Sequence, residues 1–192
     1  MQYSQNDRDA QIRLCQNQVF AHLLDNPDQA SATSKITGHV ADALKCTVRQ
    51  GRQLADMDML RTMGGDETAP SPSFFAKAGL VGYLAIATKM TAAREGLRFR
   101  SVDVEIETDS DTLAIFGLGG GNAAPLDTRV KVLIDTNEPA DVVDDLIARV
   151  LTIDTWSLAL RDPQSVSVDW ERQEIPSEAP DTATSGEHHA TA

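Results

Sequence analysis

Residues 71–96, SPSFFAKAGLVGYLAIATKMTAAREG, decide the fold of this 192-residue chain. Ser71 followed by Pro72 is a typical N-cap and first-turn pair, so the stretch predicts a helix that begins at Pro72. The helix is expected to run to about Glu95, because Gly96 supplies a C-terminal stop. Apolar residues lie on nearly every face of this central helix, and a helix that is apolar all round must be buried.

The central helix needs more covering than a single domain of this size readily offers. Packing against its copy in a second subunit would supply that cover. Gly79 and Gly82 each cost about 1 kcal/mol of helix propensity relative to alanine, a cost usually tolerated where another backbone approaches closely. Both features indicate a tightly packed environment for this helix.

The segments before the central helix predict a helix and a hairpin. Residues 7–25 place apolar side chains three and four positions apart and end before Asn26, as a peripheral amphipathic helix would. From Lys35 to Asp56 apolar and polar residues alternate loosely, and Gln50 with Gly51 interrupts them like a turn. We expect two antiparallel strands there.

The segments after the central helix complete an α+β arrangement with mostly antiparallel pairing. Residues 98–108 and 129–135 alternate apolar with polar side chains, which predicts two strands with one buried face each. A second helix is expected to begin at Pro139 with one apolar face. A short apolar turn around Trp156 and a last strand over residues 166–170 follow.

The charge and hydropathy of the chain exclude several classes of partner. Lys and Arg total 17 against 29 Asp and Glu, which gives a formal net charge of -12 and a pI near 4.6. Such a chain repels phosphate backbones and anionic headgroups, so we expect neither nucleic acid nor membrane as a partner. The longest apolar stretch, residues 78–87, is too short to span a bilayer, and we expect a cytoplasmic protein.

The reactive residue types form no recognisable site. Cys15 and Cys46 lie 31 positions apart without a CxxC motif or a histidine cluster, so the sequence predicts no metal site, no cofactor and no disulfide framework. We interpret both as small buried apolar residues. His22 and His39 fall on different elements, and the glycine run 117–121 lacks the spacing of a phosphate loop, so we expect a flexible loop there.

Four segments in order resemble the OsmC/Ohr superfamily. They are the glycine- and proline-containing approach Gly64-Gly65-Asp66-Glu67-Thr68-Ala69-Pro70-Ser71-Pro72, the small-residue pattern of residues 78–85, the helix end Ala93-Arg94-Glu95-Gly96-Leu97, and residues 156–161 followed by 166–168. The similarity covers about residues 36–170. We therefore expect an N-terminal helical extension over residues 1–34, an OsmC-like domain over 35–170 and a disordered acidic tail over 171–192.

The resemblance implies an α+β OsmC-like fold and an intertwined homodimer whose central helices pack together. It also implies a peroxidatic and a resolving cysteine at the positions that match Tyr83 and Asp154, and both are replaced here. A glutamate that orients an arginine is replaced by Ser73, and Arg61 is the best match for that arginine. Peroxide reduction needs a thiolate, a resolving thiol and a nearby cation, of which only the cation remains.

The leading hypothesis is an OsmC-like protein without thiol-peroxidase activity that binds a small, partly apolar molecule between subunits. Tyr83, Asp154, Ser73 and Arg61 would line that pocket. The simpler interpretation is that Tyr83 is core packing whose hydroxyl is satisfied by Asp154.

Two other classes of function stay open. One is an organic hydroperoxide reductase of oxidative-stress defence that uses Cys15 or Cys46. The other is a structural or partner-binding protein that uses its acidic surface and tail. Net charge is too generic a feature to identify such a partner.

Overall fold

The computed structural model describes residues 5–41, 43–162 and 164–172, so that residues 173–192 of the expected tail lie outside the described part. No helix among these residues is long and apolar enough to cross a membrane. The elements in chain order are helix α1 (Gln5–Asp25), strands β1 (Thr37–Val40), β2 (Cys46–Gln50) and β3 (Gln53–Met57), helix α2 (Pro72–Glu95), strand β4 (Phe99–Asp109), helix α3 (Thr112–Ile115), strand β5 (Asp127–Thr136), and helices α4 (Ala140–Leu151) and α5 (Thr155–Arg161).

The central helix, α2, begins and ends where the sequence predicts. The Ser71 hydroxyl accepts a hydrogen bond from the Phe74 amide at 3.2 Å and so caps the first turn. At the other end Gly96 adopts a left-handed φ of 83° and donates its N–H to carbonyls of the last turn. The predicted boundaries are confirmed because the caps that define them are local. The expected burial on nearly every face is not seen within one chain, where Phe74 and Ile86 of α2 are 54% and 61% exposed.

The core of the described chain lies between α2, the β4–β5 hairpin and α4. β4 and β5 pair antiparallel from Phe99 opposite Thr136 to Asp109 opposite Asp127, as their alternating patterns predict. α4 begins after Pro139 and turns its apolar face inward. The buried cluster consists of Leu84, Ala92, Phe99, Leu146 and Val150.

Strands β1, β2 and β3 form a separate antiparallel sheet with that order. The prediction of two strands between Lys35 and Asp56 is wrong, because three strands are present there: β1 ends at Val40, β2 begins at Cys46, and residues 41 and 43–45 belong to neither. Every side chain of β1 is exposed, and none in β2 or β3 is fully buried. The sheet makes no extended contact with α2, β4 or β5.

The C-terminal part departs from the expected turn and strand. The apolar turn around Trp156 is in fact α5, and the predicted strand over residues 166–170 has no regular structure. Val168 and Trp170 in that segment are each 86% exposed. A strand needs a neighbour to pair with, and this segment finds none among the described residues. The glycine-rich residues 117–121 are a loop, as predicted.

Helix α1 confirms the predicted N-terminal helix and packs along α2. Lys89 lies 2.9 Å from the carboxylate of Asp9, which is only 8% exposed, and also donates to the Phe99 carbonyl. Arg13 donates from Nε to the Ala93 carbonyl at 3.0 Å. These polar contacts anchor α1 to α2. The apolar residues of α1 form no strong single face that could do so alone.

Candidate functional site

An open groove of about 480 Å³ runs between α1 and α2 and ends at the turn before α5. Its wall is mainly apolar, and the side chains of α2 that line it follow the helical repeat. The apolar members are Phe20, Tyr83, Ile86, Ala87, Met90 and Ile153, and the polar ones are Gln16, Thr91 and Arg94.

Tyr83, the residue at the matched peroxidatic position, lies at one end of this groove. Its side chain is 42% exposed, and its hydroxyl is 3.3 Å from the Oγ1 of Thr155, the first residue of α5. Either hydroxyl can donate in this pair. The groove therefore combines an apolar wall with the hydroxyl of Tyr83, which is paired with Thr155.

Asp154, at the matched resolving position, is fully buried and caps α5. Its Oδ1 accepts a hydrogen bond from the Ser157 amide at 2.7 Å, whereas Oδ2 is buried without a partner among the described residues. The expected bond between Tyr83 and Asp154 is absent. The capping geometry directs the carboxylate toward the helix amides, and the phenol meets Thr155 instead.

Ser73 and Arg61 lie away from Tyr83 within one chain. Ser73 is ten residues before Tyr83 on the same helix, which is roughly 15 Å along the axis, and it lines a separate cavity of about 240 Å³. Arg61 is in a short 3-10 turn, and its Nε is 3.7 Å from the Glu67 carboxylate. The structure thus brings together Tyr83 and the turn that contains Asp154, but not the other two.

The sequence analysis missed Arg94 and Phe20. The Arg94 guanidinium carbon lies 4.9 Å from the centre of the Phe20 ring, so that a cation stacks on the aromatic residue of α1. The sequence did contain a signal for Arg94. Ile86, Met90 and Arg94 follow Tyr83 by three, seven and eleven residues and therefore share its helix face. Phe20 carried no such signal, since its contact with α2 is long-range.

Neither cysteine lines the groove. The expectation that both cysteines are buried is wrong. Cys15 is exposed on α1, where its sulfur accepts from the Gln11 side-chain amide at 3.2 Å. Cys46 is half-buried in β2, close to Gly38 of the neighbouring strand. In the described residues no three side chains of the His, Cys, Asp and Glu types gather in a way that could hold a metal ion.

No family model matches the sequence, and no curated protein matches it. Solved structures do match the fold of this chain. An OsmC-like protein from Mycoplasma pneumoniae superposes with a TM-score of 0.59 at 10% identity and covers 69% of this chain and 89% of its own. The chain has the OsmC-like fold.

Other OsmC-like structures agree. An organic hydroperoxide resistance protein OsmC from Legionella pneumophila gives a TM-score of 0.50 at 19% identity and covers 69% of this chain and 92% of its own. The OsmC-like protein VCA0330 from Vibrio cholerae gives 0.51 at 8% identity and covers 66% and 92%. The expected α+β OsmC-like fold is confirmed, while identities this low carry only the fold.

Proposed function

We propose that this OsmC-like chain is a homodimer without thiol-peroxidase activity that binds a small, partly apolar molecule in the groove beside Tyr83. One observation carries the proposal: the groove has an apolar wall and the hydroxyl of Tyr83, which is paired with Thr155, but no thiol. A volume of about 480 Å³ lies within the range of roughly 300–1,000 Å³ typical of small-molecule sites.

The absence of thiol chemistry at this site follows from the residue types. A phenol cannot form a sulfenic acid, so Tyr83 cannot replace a peroxidatic cysteine. Asp154 acts as a positioning residue, because its carboxylate caps α5 and so places Thr155 against Tyr83. Cys15 and Cys46 lie on α1 and β2, outside the groove.

The homodimer is supported by the apolar surface that one chain leaves uncovered. Among the described residues 28 large apolar side chains are exposed, whereas six apolar residues form the buried core. On α2, Phe74 is 54% exposed, and no atom of the described residues outside the helix itself lies within 4 Å of the open side of Gly79 or Gly82. A second copy would cover these surfaces, as oligomer symmetry allows. Ser73 and Arg61 join the ligand site only if the second copy contributes them.

The peroxidase part is tested with cumene and tert-butyl hydroperoxide plus a dithiol reductant. We expect no turnover by the parent protein or by a Cys15→Ser/Cys46→Ser double variant. Cys15 is exposed, so a hydroperoxide could reach its thiol, and the assay can detect activity from a relocated thiol. Turnover by the parent that disappears in the double variant would establish the hydroperoxide reductase instead.

The ligand part is tested by isothermal titration calorimetry with octan-1-ol, a small neutral amphiphile. Ile86→Glu places a carboxylate on the groove wall and is expected to abolish binding, because a bound apolar ligand would cover this charge without giving it a partner. Leu24→Glu on α1 is the matched control, since Leu24 is 81% exposed and does not line the groove. Equal binding by both variants would show that the alcohol binds elsewhere.

A further inference from the structure

We infer that the occupant of the groove is the anion of an apolar carboxylic acid, with Arg94 on the carboxylate and Phe20 of α1 as the residue that holds Arg94 in place. This inference rests on the proposed ligand groove and specifies its ligand. It also gives α1 a function, because α1 supplies one wall of the site through Phe20 and Gln16.

The geometry of Arg94 leaves its donors available. The planar guanidinium lies over the Phe20 ring, and a stacked guanidinium keeps its N–H groups at its edge for a bidentate acceptor. Among the described residues its acidic contact is Glu95 at 3.6 Å, which is longer than a hydrogen bond. Glu95 lies closer to Arg149, at 2.6 Å.

The helix end does not require Arg94 either. The C-terminal end of a helix carries partial negative charge that attracts cations. At the end of α2 the Ala93 carbonyl already accepts from Arg13 at 3.0 Å, and Gly96 donates its N–H to the same turn. Arg94 instead lies over the Phe20 ring and lines the groove.

The charge of the groove contrasts with that of the chain. The chain carries a formal net charge of -12, and it therefore repels anions in general. The lining of the groove includes Arg94 and no acidic residue. An anion that binds here has one favourable contact in an otherwise unfavourable field, which makes the site selective for ligands whose carboxylate reaches Arg94.

The rest of the lining matches an aliphatic or aromatic body. Ile86, Met90 and Ile153 present apolar surface along the groove between Arg94 and Tyr83. Arg94 follows Tyr83 by eleven residues, which corresponds to about 16 Å along the helix axis. A chain of about eight carbons can lie on this surface with its carboxylate on Arg94.

Calorimetry with octanoate and octan-1-ol tests the inference, since the two ligands share a chain and differ in charge. The parent is expected to bind octanoate more tightly than octan-1-ol. Arg94→Gln should weaken the binding of octanoate at least roughly tenfold, because a hydrogen bond to a charged group is lost. The binding of octan-1-ol should change little. Arg94→Lys keeps the positive charge but loses the bidentate geometry of the guanidinium, so its affinity for octanoate should be intermediate. Arg98→Gln is the control, because it removes the same charge from an exposed residue just past α2 that does not line the groove.

The outcomes separate this inference from the function on which it rests. If octan-1-ol binds as tightly as octanoate, and Arg94→Gln changes the affinity for neither, the inference of an anionic ligand is wrong while the apolar ligand groove stands. If neither ligand binds the folded parent, the ligand groove itself is wrong. If in addition Ile86→Glu splits the dimer in sedimentation, the groove is an interface between copies. Phe20→Leu, which removes the stack but keeps an apolar wall, should weaken octanoate selectively.

Discussion

The two sheets of this chain differ in what covers them. The β4–β5 hairpin lies under α2 and α4, and there Phe99, Leu146 and Val150 are completely buried. The β1–β3 sheet has no such cover among the described residues, and Leu54 on its edge strand β3 is 58% exposed. Three strands with both faces open do not bury enough apolar surface for independent stability. One part of the molecule therefore has its own buried core, while the other is the part that the proposed second copy would cover.

The largest effect is expected from Leu146→Ala in the covered part. Leu146 is fully buried on α4, and truncating such a leucine costs about 2–5 kcal/mol of the free energy of unfolding. Urea denaturation measures this loss, and it should not depend on protein concentration. Leu151→Ala, on the same helix but 38% exposed, is the control. Equal losses in both would mean that α4 is not packed as described.

The next largest effect is expected from Leu54→Asp in the uncovered sheet. If a second copy covers β3, the change removes roughly 1.5–3 kcal/mol of apolar burial and raises the dissociation constant of the dimer about tenfold to a hundredfold. Sedimentation equilibrium measures it. Gln53→Asp adds the same charge to the opposite face of the strand and serves as the control. A dimer that is unaffected by Leu54→Asp would show that the sheet is not covered by a copy.

A smaller effect is expected from Ser71→Ala at the start of α2. The substitution removes the hydroxyl that caps the Phe74 amide, which typically costs about 1 kcal/mol. The midpoint of urea unfolding measures it. Ser73→Ala, two residues further into the first turn, should change the midpoint much less, because Ser73 is not the N-cap. The reverse order would place the helix start elsewhere.

The smallest effect concerns Asp58, which joins the β1–β3 sheet to α2. Hydrogen bonds from the Thr68 amide, and also from its hydroxyl and from the Met59 amide, lower the pKa of Asp58 below its ordinary value of 3.8. The carboxylate therefore contributes stability above pH 3.8 that is lost as the pH falls through the lower folded pKa.

Asp58→Asn should accordingly flatten the loss of stability below pH 4, as thermal unfolding at several pH values would show. Asp144→Asn, an exposed residue of α4, should leave that loss unchanged. An acid profile that is identical in the parent and in Asp58→Asn would mean that this junction does not depend on the charge of Asp58.

The sequence predicts best where structure is decided locally. Ser71 and Gly96 fix the ends of α2 through bonds within one turn, and the alternation of residues 98–108 fixes the strand that covers the core. The strand expected over residues 166–170 failed because alternation without a pairing partner does not make a strand. The extra strand β1 was missed because its pattern ran on into that of β2.

The candidate site was predictable only in part, for the same reason. The resemblance identified Tyr83 and Asp154. In the structure the Tyr83 hydroxyl contacts Thr155, the residue that follows Asp154. It could not identify Phe20, since α1 lies outside the residues that carry the resemblance. Arg94 was within reach of a helical-face argument, but its role becomes visible only once Phe20 is known to stack on it.

The ion pair between Asp9 and Lys89 makes the start of the chain part of its folding unit. Lys89 donates to β4 as well as to α1, and removal of residues 1–34 would leave this ammonium group half-buried without its counter-charge. Breaking a buried pair in this way is strongly destabilising. A version of the protein trimmed to residue 35 should therefore melt at a lower temperature and be more prone to aggregate than the full chain.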